Sequence, residues 1–126
     1  MINEHFSWRK RLKSFSYAFA GLKVLMRDEH NAWIHTAAAI CAVAAGLLLH
    51  ISRVEWLAVF IVIGMVFAAE IFNSSVERIA DFLTTEHDER IGKIKDLAAA
   101  AVLVCAITAV AVALFIFVPK VVAHLA

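Results

Sequence analysis

The sequence predicts an all-α integral membrane protein that forms one domain over residues 1–126, with one interfacial helix and three transmembrane helices. The chain is 63% hydrophobic and only 18% charged, which leaves too much apolar surface for a soluble domain of 126 residues. It contains one proline and four glycines, so long helices are favoured over a turn-rich β fold. The net charge of +1 gives no indication of a nucleic-acid partner.

Residues 1–31 are predicted to form an amphipathic helix that lies in the headgroup layer of the membrane. Its apolar side chains recur at intervals of three and four residues, and most of the basic residues fall outside this stripe. The stripe consists of Trp8, Leu12, Phe15, Phe19, Leu22 and Met26. Two interpretations stay open, because such a helix can simply anchor the protein or can also form the wall of an entrance for a lipid.

Three apolar runs are predicted to be the transmembrane spans, at residues 32–49, 54–72 and 97–118. Each is close to the ~20 residues that a helix needs to cross about 30 Å of hydrocarbon.

The basic residues predict the orientation of the spans. Ten of the twelve lysines and arginines lie before the first span or in the segment 73–96, between the second and third spans. The other two are Arg53 and Lys120. Because positively charged loops stay in the cytoplasm, the N-terminus and residues 73–96 are expected to be cytoplasmic.

Acidic side chains continue out of the second span. They occur together with one amide at positions i, i+3, i+7 and i+11, which are Glu70, Asn73, Glu77 and Asp81. If the helix extends past residue 72, these side chains share one face at about 100° per residue. Like charges in this arrangement repel each other, and a bound cation would offset that repulsion. For Asp81 taken alone, a solvated surface charge is the favoured interpretation.

Glu70 is the most informative of these residues, because fourteen apolar residues precede it and two more follow it. An ionisable group at that depth is a functional candidate, since it is costly there unless it faces a cavity or a partner. A carboxylate in that place suits a general base that takes a proton from an alcohol. Three helices alone are not expected to shield Glu70, Asn73 and Glu77 from lipid, so the chain is expected to oligomerise.

Two further groups lie near the predicted cytoplasmic face. Lys95 and Asp96 are expected at the start of a helix, where free N–H groups and the helix dipole attract phosphate. Taken alone, Asp96 is more simply a helix cap and Lys95 a charge that sets topology. Glu29 is expected at the membrane level of Glu77, and two carboxylates from different elements together with phosphate oxygens form a normal magnesium site.

Common catalytic motifs do not occur in the sequence: it has no G-x-x-x-x-G-K-[ST] loop, protein-kinase motif set, C-x-x-C or H-E-x-x-H. Nucleotide chemistry would therefore need a site built on helices. One alternative is a non-enzymatic bundle that conducts protons or ions, with Glu70 as the relay carboxylate. Another is an inactive scaffold subunit. The conducting bundle gives no role to Glu29, Lys95 or Asp96.

The motif Glu-Ile-Phe-Asn-Ser-Ser-Val-Glu-x-x-x-Asp at residues 70–81, followed by Lys-Asp at 95–96, resembles the signature of the prokaryotic diacylglycerol kinase / undecaprenol kinase family. The basic amphipathic N-terminus and the pattern Glu-x-Asn-x-x-Ile-His at 29–35 resemble the same family, and this pattern favours its undecaprenol-type branch. Trp33 stands where the family often has arginine, so one phosphate contact is either missing or supplied by another residue. The candidates for that contact are Arg9, Arg11 and Arg27.

The resemblance implies a homotrimer in a bacterial inner membrane, with active sites between protomers. It implies transfer of the ATP γ-phosphate to the hydroxyl of diacylglycerol or undecaprenol, with Mg²⁺ as cofactor. Glu70 would be the general base, Asn73 would orient it, and Glu29 and Glu77 would bind magnesium. The residues implied to bind the nucleotide are Lys10, Tyr17, Glu29, Glu77, Glu86, His87, Asp88, Lys95 and Asp96.

Overall fold

The computed structural model describes residues 5–126, and within them the regular structure is entirely helical. There are four helices: α1 (Trp8–Asp28), α2 (His30–Leu48), α3 (Arg53–Leu83) and α4 (Glu89–Leu125). Helices α2, α3 and α4 are each long and apolar enough to cross a membrane. The prediction of an all-α protein with three spans is therefore confirmed. Residues 1–4 of the predicted interfacial helix lie outside the described residues.

A single residue separates α1 from α2. The backbone is extended at Glu29, with φ −109° and ψ 112°. Its N–H still donates to the carbonyl of Leu25 at 3.0 Å, and its carbonyl accepts from the N–H of Ala32 at 3.2 Å. The two helices thus meet at a sharp junction, and the Glu29 carboxylate projects from the junction itself.

The opposite end of the bundle is closed by the connection between α2 and α3. Ser52 caps α3 through a reciprocal pair of hydrogen bonds with Glu55, of 2.7 and 3.2 Å. Lys120 of α4 reaches the Glu55 carboxylate at 3.3 Å and links α4 to this cap. A small core of Ile51, Val59 and Ile116 lies beside it.

Helices α3 and α4 pack along each other more extensively than any other pair. With 31 and 37 residues they are about 46 and 55 Å long, so both exceed the ~30 Å of bilayer hydrocarbon. Residues 73–83 are therefore a direct continuation of α3, and only residues 84–88 connect it to α4. The four residues that share one face, Glu70, Asn73, Glu77 and Asp81, consequently lie on one uninterrupted helix, and this face is called the acidic face below.

Candidate active site

Glu70 is buried within a single chain, at 2% exposed. The expectation that three helices alone leave it open to lipid is wrong for this residue, because α3 packs against each of the other helices. Asn73 and Glu77 are half-buried. Glu70 Oε2 and Asn73 Oδ1 are both buried without a hydrogen-bond partner among residues 5–126. Two buried acceptors three positions apart on one helix face are therefore left without a donor among the described residues, which is uncommon for buried polar atoms.

The junction between α1 and α2 is bonded to this face of α3. Ser74 Oγ donates a hydrogen bond of 2.8 Å to Glu29 Oε1. One turn further along α3, Arg78 Nη2 lies 2.8 Å from Asp28 Oδ2. The Arg27 guanidinium and then Arg78 hydrogen-bond to Asp28 and hold the pKa of that carboxyl well below its usual range. These contacts bring Glu29 next to the turn of α3 that carries Glu77, since Ser74 and Glu77 are three residues apart.

A polar cleft of about 350 Å³ lies where α3 ends and α4 begins. Its lining includes several residues expected to contact the nucleotide, namely Glu86, His87, Asp88 and Lys95, together with Asp81. Lys95 Nζ lies 2.8 Å from Asp81 Oδ1 across the cleft. The cleft thus presents carboxylates, an imidazole and an ammonium group close together.

The expectation that Lys95 and Asp96 lie at the start of a helix is wrong. Helix α4 begins at Glu89, and its cap is Asp88, which accepts hydrogen bonds from the N–H groups of Arg90 and Ile91. Only the first four N–H groups of a helix are free, so residues 95 and 96 lie beyond them. Lys95 can bind an anion only through its side chain. Asp96 is exposed and does not line the cleft.

The side chain of Asp88 has two structural tasks. It caps α4, and it forms an ion pair of 3.0 Å with Arg90. Hydrogen bonds from the Arg90 side chain, and next from its backbone, lower the pKa of the Asp88 carboxyl. Asp88 is therefore engaged in holding the cleft's shape before any ligand arrives.

The residues expected on α1 are not brought to the cleft within one chain. Lys10 and Tyr17 are exposed, and neither lines the space between α3 and α4. A separate apolar groove of about 520 Å³ lies between α1 and α3, and Ser74 and Ser75 are part of its lining. This groove lies on the same turn of α3 as the junction contacts.

Ser74 and Arg78 contact the junction of α1 and α2 but were not among the site residues predicted from the sequence. Ser74 lies four residues after Glu70, and Arg78 lies four residues after Ser74. This spacing places them next to each other along α3 and is the signal that could have found them. Among residues 5–126 there is no cluster of three or more His, Cys, Asp or Glu side chains that could hold a metal. A metal at this site would need oxygen atoms from a ligand besides Glu29 and Glu77.

The fold and the site define a small multi-pass membrane protein with a buried carboxylate and a polar cleft at one end of its bundle. Residues 16–117 match the family described as prokaryotic diacylglycerol kinase. The chain belongs to this family, and it is a lipid kinase. The resemblance read from the sequence is thereby confirmed, and the conducting bundle is not favoured.

Individual relatives agree with the family. The chain is 37% identical to an undecaprenol kinase of Bacillus subtilis over 108 residues, which cover 86% of this chain and 88% of that protein. It is 33% identical to a diacylglycerol kinase of Synechocystis over 80% of this chain and 58% of that protein. It is 28% identical to a diacylglycerol kinase of Escherichia coli, over 87% of this chain and 90% of that protein.

Proposed function

We propose that this protein transfers the γ-phosphoryl group of Mg-ATP directly to the hydroxyl of a membrane lipid, and that the lipid is undecaprenol rather than diacylglycerol. The observation that carries the proposal is Glu70, which is buried with one carboxylate oxygen unpaired among residues 5–126. Such a group is costly to retain in an apolar span, so it is expected to serve chemistry. The reaction takes place on the cytoplasmic side of a bacterial inner membrane.

Glu70 acts as the general base. The lipid hydroxyl donates its hydrogen bond to the Glu70 carboxylate, and the proton passes to Glu70 as the hydroxyl oxygen attacks the γ-phosphorus. The bond between the γ-phosphorus and the β–γ bridging oxygen breaks, and ADP leaves. The buried Oδ1 of Asn73 is a second acceptor that fixes the direction of the hydroxyl or of Glu70. Neither acceptor has a competing partner within the described residues. Each can therefore accept a hydrogen bond from the substrate once the side chains that cover it move aside.

Glu29 and Glu77 would hold magnesium, with the remaining ligands supplied by the triphosphate and water. This donor set fits Mg²⁺, which is usually bound through one or two carboxylates and substrate phosphates. The ion would neutralise charge on the transferring phosphoryl group. Lys95 would contact the phosphates, and the rest of the cleft lining the nucleoside.

Two assigned nucleotide contacts, Lys10 and Tyr17, are distant from the cleft in sequence and exposed. They fit a site completed by a second copy of the chain, as in the homotrimer that the family resemblance implies. Asp96 also remains a proposed nucleotide contact, in a site that a second copy of the chain completes.

The choice of lipid rests on an apolar cavity of about 110 Å³ between α2, α3 and α4. Its lining includes Val66 and Phe67, which lie one turn before Glu70, and its single strongly polar side chain is His35. The ester carbonyls of diacylglycerol would lose hydrogen bonds to water in such a cavity, whereas a polyprenol has no ester groups. The 37% identity to an undecaprenol kinase points the same way.

The test is a phosphorylation assay on the purified full chain in detergent, with radiolabelled ATP, Mg²⁺ and either undecaprenol or diacylglycerol. Labelled undecaprenyl phosphate is expected, and Glu70→Gln should abolish it. The matched control is Glu55→Gln, which changes a carboxylate at the other end of the same helix and should leave the rate unchanged. Equal loss in both variants, or product from neither lipid, would refute the proposal. Product from diacylglycerol but not from undecaprenol would refute the choice of lipid.

A further inference from the structure

Helix α1 has little packing of its own to hold it in place. Within Trp8–Asp28, Leu25 is the buried residue. The aromatic side chains of its apolar stripe are exposed, with Trp8 at 74% and Phe19 at 69%. One extended residue, Glu29, joins α1 to α2. The position of this junction relative to α3 therefore depends on the few contacts made there.

Two of those contacts are polar, and each joins one residue of the junction to one residue of α3. The first is the hydrogen bond from Ser74 to Glu29, and the second is the ion pair between Arg78 and Asp28. Asp28 and Glu29 are adjacent in the chain, and Ser74 and Arg78 are one helical turn apart on the same face of α3. Ser74 is only 6% exposed, so the inner contact is shielded from water.

We propose that Ser74 and Arg78 are positioning residues that hold the junction of α1 and α2 against α3, so that the Glu29 carboxylate stays beside Glu77. This inference rests on the proposed magnesium role of the two glutamates. The hydrogen bond from Ser74 occupies Oε1 of Glu29 and leaves Oε2 outside that bond.

The ion pair with Asp28 also helps to keep Glu29 and Glu77 available, because it engages the guanidinium of Arg78. Arg78 directly follows Glu77 in the chain, and an unengaged guanidinium there would be drawn to the carboxylates of the site. Asp28 engages it instead, at 2.8 Å. Glu29 and Glu77 thereby keep their negative charge available for a metal.

The hydrogen bond can be tested by measuring Mn²⁺ affinity, by electron paramagnetic resonance, on the full chain in detergent with a non-hydrolysable ATP analogue. Ser74→Ala is expected to weaken Mn²⁺ binding about tenfold or more, as losing a group that orients a metal ligand does. Ser74→Thr, which keeps the hydroxyl, should restore the affinity. The control is Ser75→Ala, because the Ser75 hydroxyl donates to Ile71 O of its own helix.

The ion pair is tested in the same assay with Arg78→Gln, a half-exposed position at which the fold is expected to survive. Glutamine removes the cation together with the ion pair, so a fall in Mn²⁺ affinity reports lost positioning of the junction and not competition from a guanidinium. A severalfold fall is expected, and Arg78→Lys should retain the affinity. Spin labels on α1 and α3 should give a broader distance distribution in Arg78→Gln than in the wild type.

Wild-type Mn²⁺ affinity in both Ser74→Ala and Arg78→Gln would overturn the inference. If Glu77→Gln loses Mn²⁺ in that same experiment, the positioning role fails while the proposed kinase site stands. If Glu77→Gln also binds Mn²⁺ normally, the assigned metal site fails and the positioning role fails with it.

Discussion

Replacing Glu70 with methionine is expected to make the protein more stable and inactive at once. The side chain is 2% exposed, and its Oε2 has no hydrogen-bond partner among residues 5–126. An unpaired buried polar group costs about 1–3 kcal/mol. Methionine removes the polar atoms in a similar volume, so Glu70→Met should raise the free energy of unfolding by about 1–3 kcal/mol. Lipid phosphorylation should fall by about 10²- to 10⁴-fold with the loss of the base.

The assay measures unfolding by sodium dodecyl sulfate in mixed micelles, with circular dichroism as the signal. The phosphorylation rate of each variant is measured in parallel. Glu55→Met is the matched control, because Glu55 is hydrogen-bonded to Ser52 and ion-paired with Lys120 and should lose stability when replaced. The reasoning is refuted if Glu70→Met unfolds at a lower detergent fraction than the wild type. In that case Glu70 stabilises the fold and is not retained for chemistry.

Two other predictions concern stability. Gly46→Ala is expected to cost about 1–3 kcal/mol by overpacking, because the added Cβ would lie 2.7 Å from the Trp56 ring. Gly64→Ala, with nothing within 4 Å of its Cβ, should be neutral or stabilising in the same detergent titration. The hydrogen bond from the Arg90 side chain lowers the pKa of the folded Asp88 carboxyl. The stability that this carboxylate contributes is therefore complete above its unfolded pKa of about 3.9, and it is lost as the pH falls through the lower pKa of the folded state. Thermal melts of Asp88→Asn at a series of pH values should lack that part of the acid-side decline, and an unchanged decline would contradict the assignment.

The spans and the acidic face were predictable because they depend on local periodicity. A run of about twenty apolar residues has few alternatives to a membrane helix. The spacing of Glu70, Asn73 and Glu77 places them on one face of any helix that continues past residue 72, and α3 does continue to Leu83.

The start of α4 was not predicted, because the polar residues from Thr84 to Asp96 resemble a loop in composition. Asp88 is the N-cap of α4, and this capping signal lies seven residues before Lys95. The contact between Glu29 and Ser74 joins residues 45 positions apart, and periodicity carries no information at that separation. The burial of Glu70 likewise depends on how whole helices pack.

Helix α3 runs without a break from Arg53 to Leu83, and this continuity bears on how the protein responds to its lipid surroundings. In a thicker or thinner bilayer, a span adapts by tilting or by deforming the lipids around it. A rigid rod that tilts carries Glu70 and Asp81 with it as one body, so the spacing between them is preserved. What changes is their height relative to the headgroups, and with it the ease with which a lipid alcohol meets the base. Membrane thickness is therefore expected to act on this kinase through access of the substrate to the base.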